Sequence, residues 1–318
     1  MNRHRTALSV LLSAGALVAG VLTAATPSIA ADAPTSFRPQ QTQGFWTAER
    51  MRAATPLDVT AVPDAARTAV ATSATPTAIA PTAAASAASP TAFPQAGGAW
   101  TGGGAVVKTS GRVFFTMGTR TASCSGNSIT SANGSTVMTA GHCVKYQGAW
   151  HTNWVFVPAY DNGSAPYGQW SATKTFATDQ WAASEDMNMD VGLAVVAPLN
   201  GQTLSQAVGA QGVLFNGGYN KKMYSFGFPA AAPYDGTKLV YCSGNSGKDF
   251  LLTKDHSLGC NMTGGSSGGP WFQDFNEATG LGTQVSVNSF GYTFLPNRMY
   301  GPYFGNEAKA AYDKAQTS

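Results

Sequence analysis

An imidazole, a carboxylate and a hydroxyl stand in three short strings of this sequence. Thr139-Ala140-Gly141-His142-Cys143 follows the apolar pair Val137-Met138. Histidine is the natural general base near neutral pH, and small neighbours leave its ring approachable. Gly264-Gly265-Ser266-Ser267-Gly268-Gly269-Pro270 places glycines on both sides of a serine and then enters the apolar Trp271-Phe272. A hydroxyl nucleophile needs a base and backbone donors for the developing oxyanion, and glycine permits the tight turn that presents them. Asp190 opens the apolar run Val191–Val196. A carboxylate at the mouth of a strand can orient an imidazole and stabilise its protonated form. Taken singly, each string has an ordinary reading: a core histidine, a flexible Gly/Ser loop, a strand-capping aspartate. His151, His256, Glu185 and Asp186 are the nearby alternatives and lack a comparable setting. Taken together, the strings supply a base, an orienting carboxylate and a nucleophile, the three roles of covalent acyl transfer.

Such groups must be held by a rigid frame. Short β-branched and aromatic runs recur at Arg112–Thr116, Trp154–Val157, Val191–Val196, Lys222–Gly227, Lys238–Tyr241 and Gln284–Ser289, separated by Gly, Asn, Asp and Ser. This spacing predicts an all-β sandwich or barrel. Helical periodicity occurs at the end, where Ala308, Ala311, Tyr312 and Ala315 share one face and Asn306 is placed as N-cap.

The first 95 residues read differently. Arg3, His4 and Arg5 precede an uncharged apolar run from Ala7 to Ala25, then small residues at Ser28, Ala30 and Ala31. Residues 1–31 are therefore expected to be a secretory signal peptide, with an uncleaved anchor as the rival. Between Thr68 and Pro94, 24 of 27 residues are Ala, Thr, Pro or Ser and none is charged. Residues 32–95 are expected to be a propeptide or linker, with too little large apolar surface for a core of their own. Residues 96–318 form the expected single domain, which carries 13 Lys+Arg and 12 Asp+Glu. Near-neutral charge argues against a nucleic-acid partner. Export makes the four cysteines disulfides rather than metal ligands, and four cysteines allow three pairings. No metal or organic cofactor is expected. A secreted, extracellular monomer without stable membrane association is expected.

The order His142, Asp190, Ser267, at spacings of 48 and 77 residues, resembles that of the chymotrypsin-like serine peptidases. The His142 string is similar to the family's Thr-Ala-Ala/Gly-His-Cys, and the Ser267 string to its Gly-Asp-Ser-Gly-Gly-Pro. The Ala-rich leader and the Gly-Gly-Ser-Ser variant most resemble secreted actinobacterial members near the glutamyl endopeptidase branch. The resemblance covers residues 110–318. It implies two antiparallel six-stranded β-barrels with a C-terminal helix, divided near 205–215, and a triad in the cleft between them. It implies Ser267 as nucleophile, His142 as base and acid, and Asp190 as orienter. The N–H groups of Gly265 and Ser267 would form the oxyanion hole, and Ser289-Phe290-Gly291 would be the strand that pairs with substrate. It further implies the disulfides Cys124–Cys143 at the histidine loop and, with it, Cys242–Cys260 before the nucleophile loop. Each loop of about 20 residues contributes roughly 3 kcal/mol in the chain-entropy picture.

Some positions depart from that pattern. Ser266 replaces the aspartate that receives a new N-terminal ammonium in trypsin-like zymogens. Activation must then take another route, with the prosegment assisting folding or blocking the cleft. Asn261 stands six residues before Ser267, where trypsin-like members carry an aspartate. An amide gives a cationic side chain no counter-charge. Glutamyl endopeptidases use a histidine near the pairing strand, and here Asn288 and Ser289 stand there, with no histidine after His256. Asn261, Met262, Thr263 and Gly291 are the expected pocket residues, and they favour a neutral or polar substrate side chain. The function expected is that of a serine endopeptidase acting on proteins or peptides. An esterase or a silent protease-shaped binding protein is the alternative.

Overall fold

Six strands close into an antiparallel barrel. Their order around it is Ser110–Met117, Arg120–Ile129, Thr136–Thr139, Gly192–Val196, Trp170–Ala177 and Thr152–Pro158, which returns to Ser110–Met117. The computed structural model describes residues 35–59, 74–89 and 91–318. The expected signal peptide, 1–31, lies outside them, as do residues 60–73 and 90 of the leader. Among the described residues no helix is long and apolar enough to cross a membrane.

Side-chain alternation explains why these strands read as nearly continuous apolar runs. Val113, Phe115, Trp154 and Phe156 belong to the hydrophobic cluster that includes Leu193 of the same barrel. Their neighbours Phe114, Val155 and Val157 point the other way and meet Tyr224, Phe226 and Phe272 of the second half. Both faces of these strands are buried, so neither needs polar residues.

The second half contains a seven-stranded sheet in the order Thr77–Ile79, Gly212–Phe215, Leu281–Val287, Pro270–Asn276, Lys222–Gly227, Val240–Asn245 and Gln95–Ala99. A four-stranded sheet, Gly247–Lys248, His256–Gly259, Leu295–Gly301 and Phe290–Tyr292, lies beside it. The disulfide Cys242–Cys260 ties the two sheets, and Cys124–Cys143 ties the histidine loop to the first barrel. Both pairings are those the family resemblance implied. The all-β body and the closing helix, Asn306–Gln316, also match expectation. Ala308, Ala311, Tyr312 and Ala315 are its buried face. Its cap differs: Gly305 occupies that position, and Asn306 instead accepts a hydrogen bond from Asn216 at 3.0 Å. A tertiary partner for the amide outweighed the local cap.

The leader is woven into this frame. Ser36–Phe37 pairs with Phe176 and Thr175. The helix Ala48–Ala53, capped by Thr47, buries Met51 against the second cluster. Thr55–Pro56 pairs in parallel with Ala122 and Ser123. Thr77–Ile79 extends the seven-stranded sheet at one edge, and Gln95–Ala99, where the leader runs into the expected domain, extends it at the other. The earlier part of the leader also buries Trp46, Met51, Leu57 and Val59 in the two clusters, whereas the Ala-, Thr- and Pro-rich stretch around Thr77–Ile79 is poor in large side chains and joins the sheet by backbone hydrogen bonds.

Candidate active site

His142 sits in a one-turn 3-10 segment, Gly141–Cys143, at the end of the strand Thr136–Thr139. Asp190 sits just ahead of the neighbouring strand Gly192–Val196. Pairing of Gly192 with Thr139 brings the two together. Both side chains are fully buried. The Asp190 carboxylate accepts from His142 Nδ1 at 2.7 Å, from the His142 backbone N–H at 2.8 Å and from Ser289 Oγ at 2.5 Å. Three donors compensate a carboxylate that burial would otherwise strand. The bond at Nδ1 sets the tautomer and leaves Nε2 as the basic nitrogen. Among the described residues, Nε2 has no hydrogen-bond partner.

The Ser267 loop is locked by its glycines. Gly265 and Gly268 have φ of +91° and +80°, which glycine adopts at least cost. A Cβ on Gly268 would lie 2.1 Å from Thr139 Oγ1 and 2.4 Å from the Ser125 carbonyl, so the loop can approach the histidine-bearing strand only without one. Ser267 itself is 5 % exposed, and its carbonyl accepts from Ser125 N–H at 2.7 Å. No Ser267–His142 side-chain hydrogen bond is formed here; in a free site such bonds are often long and tighten with substrate. Gly265 N–H donates to the Leu57 carbonyl at 2.9 Å. A carbonyl oxygen of the leader thus occupies a donor that the resemblance assigned to the oxyanion hole.

A cavity of about 260 Å³ opens beside Ser267. Asn261, Met262, Thr263, Ser266, Ser289, Phe290 and Gly291 line it, together with Asp58 and Arg298. The expected pocket residues are therefore gathered in one place, but several of their polar groups face elsewhere. Asn261 accepts from Tyr234 OH at 2.6 Å, Thr263 donates to Ala231 at 2.6 Å, and Ser266 donates to Thr263 at 2.8 Å. Ser289 turns its hydroxyl to Asp190 while its N–H donates to Tyr300.

Sequence reasoning missed Asp58, Arg298, the orienting contact of Ser289 and the part played by His151. His151 stacks on Phe115 at 4.3 Å, and its Nε2 lies 2.9 Å from the His142 carbonyl. No local string marks these residues, because their partners lie in other elements. Cys124, His142 and Cys143 are also close together, but both sulfurs belong to the disulfide and offer no thiolate to a metal.

Burial holds His151 and His256 neutral, with pKa values lowered to about 4. The unfolded chain takes up these protons near pH 6.5. The stabilising contribution is therefore complete above about pH 6.5 and is lost as pH falls toward 4. Each group accounts for about 3 kcal/mol over that window. Urea unfolding at pH 7.5 and pH 4.5 is expected to show a steep loss of stability, reduced in His256→Phe. A flat profile would contradict it.

No family model matches the chain. A curated relative, an extracellular metalloprotease of Bacillus subtilis (strain 168), is 39% identical over 61 residues; the match spans 19% of this chain and 20% of that protein. Among solved structures, the protease Anisep from Arthrobacter nicotinovorans is 46% identical. The alignment covers 70% of this chain and 100% of that one, with a TM-score of 0.65. The thermostable serine protease AL20, from an extremophilic microorganism, is 41% identical, over 67% of this chain and 99% of that one, with a TM-score of 0.64. A Glu endopeptidase shares the fold at 15% identity and a TM-score of 0.56, over 70% and 97% of the two chains. Barrel, cleft and likeness to these bacterial proteases agree: the chain belongs to the chymotrypsin-like serine proteases.

Proposed function

We propose that this chain is a secreted serine endopeptidase, made as a self-blocked zymogen, that hydrolyses proteins or peptides through His142, Asp190 and Ser267. The observation that carries the catalytic reading is the buried His142–Asp190 pair, which directs Nε2 away from the carboxylate. In this mechanism Ser267 Oγ attacks the scissile carbonyl and its proton passes to His142 Nε2. The imidazolium so formed is stabilised by Asp190. It then protonates the leaving amine, and water repeats the sequence to release the acyl group. The N–H groups of Gly265 and Ser267 would receive the oxyanion, at about 2.7–4 kcal/mol of transition-state stabilisation per donor. Residues 96–318 would be the catalytic domain and 32–95 the leader removed or displaced on activation. The basic and apolar start of the sequence supports export, and the two disulfides are consistent with an oxidising compartment.

The zymogen reading has its own observation, the Leu57 carbonyl on Gly265 N–H. Stoichiometric labelling by a small fluorophosphonate tests the catalytic reading. One equivalent on Ser267, absent in Ser267→Ala, is expected once residues 35–59 are released. Labelling that stays absent after release would favour a silent binding protein.

A further inference from the structure

The sign of the charge in the cavity beside Ser267 selects its ligand. Arg298 lies in the strand Leu295–Gly301, where it is paired opposite Gly259, and it lines the cavity. Arg298 is the only Lys, Arg or His among the residues lining the cavity, and Asp58 the only Asp or Glu. Asp58 comes from the leader, so releasing the leader leaves a cavity with a cation and no carboxylate.

The donors of Arg298 are not committed elsewhere. Among the described residues it makes no ion pair, and its Nε is buried without a hydrogen-bond partner. Several of the other polar groups are occupied: the Asn261 Oδ1 by Tyr234, the Thr263 hydroxyl by Ala231, the Ser266 hydroxyl by Thr263 and the Ser289 hydroxyl by Asp190. The nearby carboxylate of Asp249 is saturated by its own loop. It accepts from the N–H groups of Leu251, Leu252 and Thr253, from Thr253 Oγ1 and from Tyr292 OH. A half-buried guanidinium whose terminal nitrogens make no side-chain hydrogen bond or ion pair among the described residues is a receptor for a planar carboxylate, which it can bind through two parallel hydrogen bonds.

We infer that Arg298 is the specificity-determining residue of this cavity and that it selects a glutamate or aspartate side chain on the residue whose carbonyl is attacked. This rests on the catalytic reading above and replaces the neutral or polar preference drawn from Asn261. Asp58 is then the leader's own acidic group at the mouth of the cavity it blocks.

Two measurements, made on the full chain opened by cleavage at a site engineered between Val59 and Ala74, test the inference. The first compares labelling rates of Ser267 by peptide phosphonates that differ only in the specificity side chain. A glutamate-to-lysine preference of about 100-fold is expected. It should fall close to unity in Arg298→Gln and reverse in Arg298→Glu, a reversal that mere structural damage would not produce. The second is calorimetric binding, in Ser267→Ala, of short peptides ending in glutamate, glutamine or lysine. The glutamate peptide is expected to bind tightest, and to lose that advantage in Arg298→Gln. Equal binding of the three peptides, or a glutamate preference that survives Arg298→Gln, overturns the inference. Failure of the small fluorophosphonate to label would count against Ser267 as nucleophile, and the binding measurement would still decide the cavity.

Discussion

Ser267→Ala, in the released protein, is expected to lower kcat for peptide hydrolysis by about 10⁶-fold, the scale seen when a serine nucleophile of this chemistry is removed. The effect is large because the other groups act only through it. His142 Nε2 has no proton to accept without the hydroxyl, and the Asp190 contacts at 2.7 and 2.8 Å then orient an idle base. The same variant should keep its fold. Ser267 holds the loop through its backbone carbonyl, which accepts from Ser125 at 2.7 Å, and that bond does not need the hydroxyl. Circular dichroism and a urea midpoint close to wild type would confirm this. A metal chelator should leave wild-type turnover intact, because the proposed steps move only protons and an acyl group between side chains and water. Undiminished turnover in Ser267→Ala would remove Ser267 from the mechanism.

Release of residues 35–59 is expected to raise turnover by about 100-fold or more, since a tethered occupant competes at an effective concentration in the millimolar range. In the proposed zymogen the way this segment lies in the cleft would make it a blocker rather than a substrate. In a substrate, the residue that owns the attacked carbonyl places its own side chain in the specificity cavity. Here Gly265 holds the carbonyl of Leu57, yet the cavity is bordered by the following residue, Asp58. The preceding residues, Thr55 and Pro56, run parallel to Ala122 and Ser123 of the first barrel. Leu57 thus lends its carbonyl to the Gly265 donor without lining the cavity itself, an arrangement that would not present Leu57 for attack. Leu57→Pro offers a gentler test, because it deletes the N–H that donates to Ser123 at 3.0 Å. It should give partial activity without cleavage. Equal turnover before and after release would refute self-blocking.

The sites that sequence made legible share one property: their chemistry is written into neighbouring residues. His142 and Ser267 sit in strings whose small residues exist to let other groups approach, as the clash a Cβ on Gly268 would make with Thr139 and Ser125 bears out. The β frame was legible for a similar reason, since side-chain alternation is a local property of an extended chain. Ser289 reads otherwise. Its place beside Phe290 and Gly291 suggested a substrate contact, whereas a residue 99 positions away claims its hydroxyl. Asn306 looked like a cap until Asn216 was seen to bind it. The leader's composition promised a tether with no core, and composition cannot say that backbone hydrogen bonds would sew it into sheet edges.

By itself, then, the sequence determined the serine-protease class and the all-β frame, and it put forward three candidate groups in chain order, because each depends on residue type and short-range periodicity. Only the tertiary structure decided the character of the cleft. It placed Leu57 on the Gly265 donor, brought Asp58 to the cavity mouth and set Arg298 into its wall. The proposed charge selectivity and self-blocking rest on groups more than 200 residues apart in sequence that meet in one cavity, where Coulomb and hydrogen-bond energies act on distance in space alone.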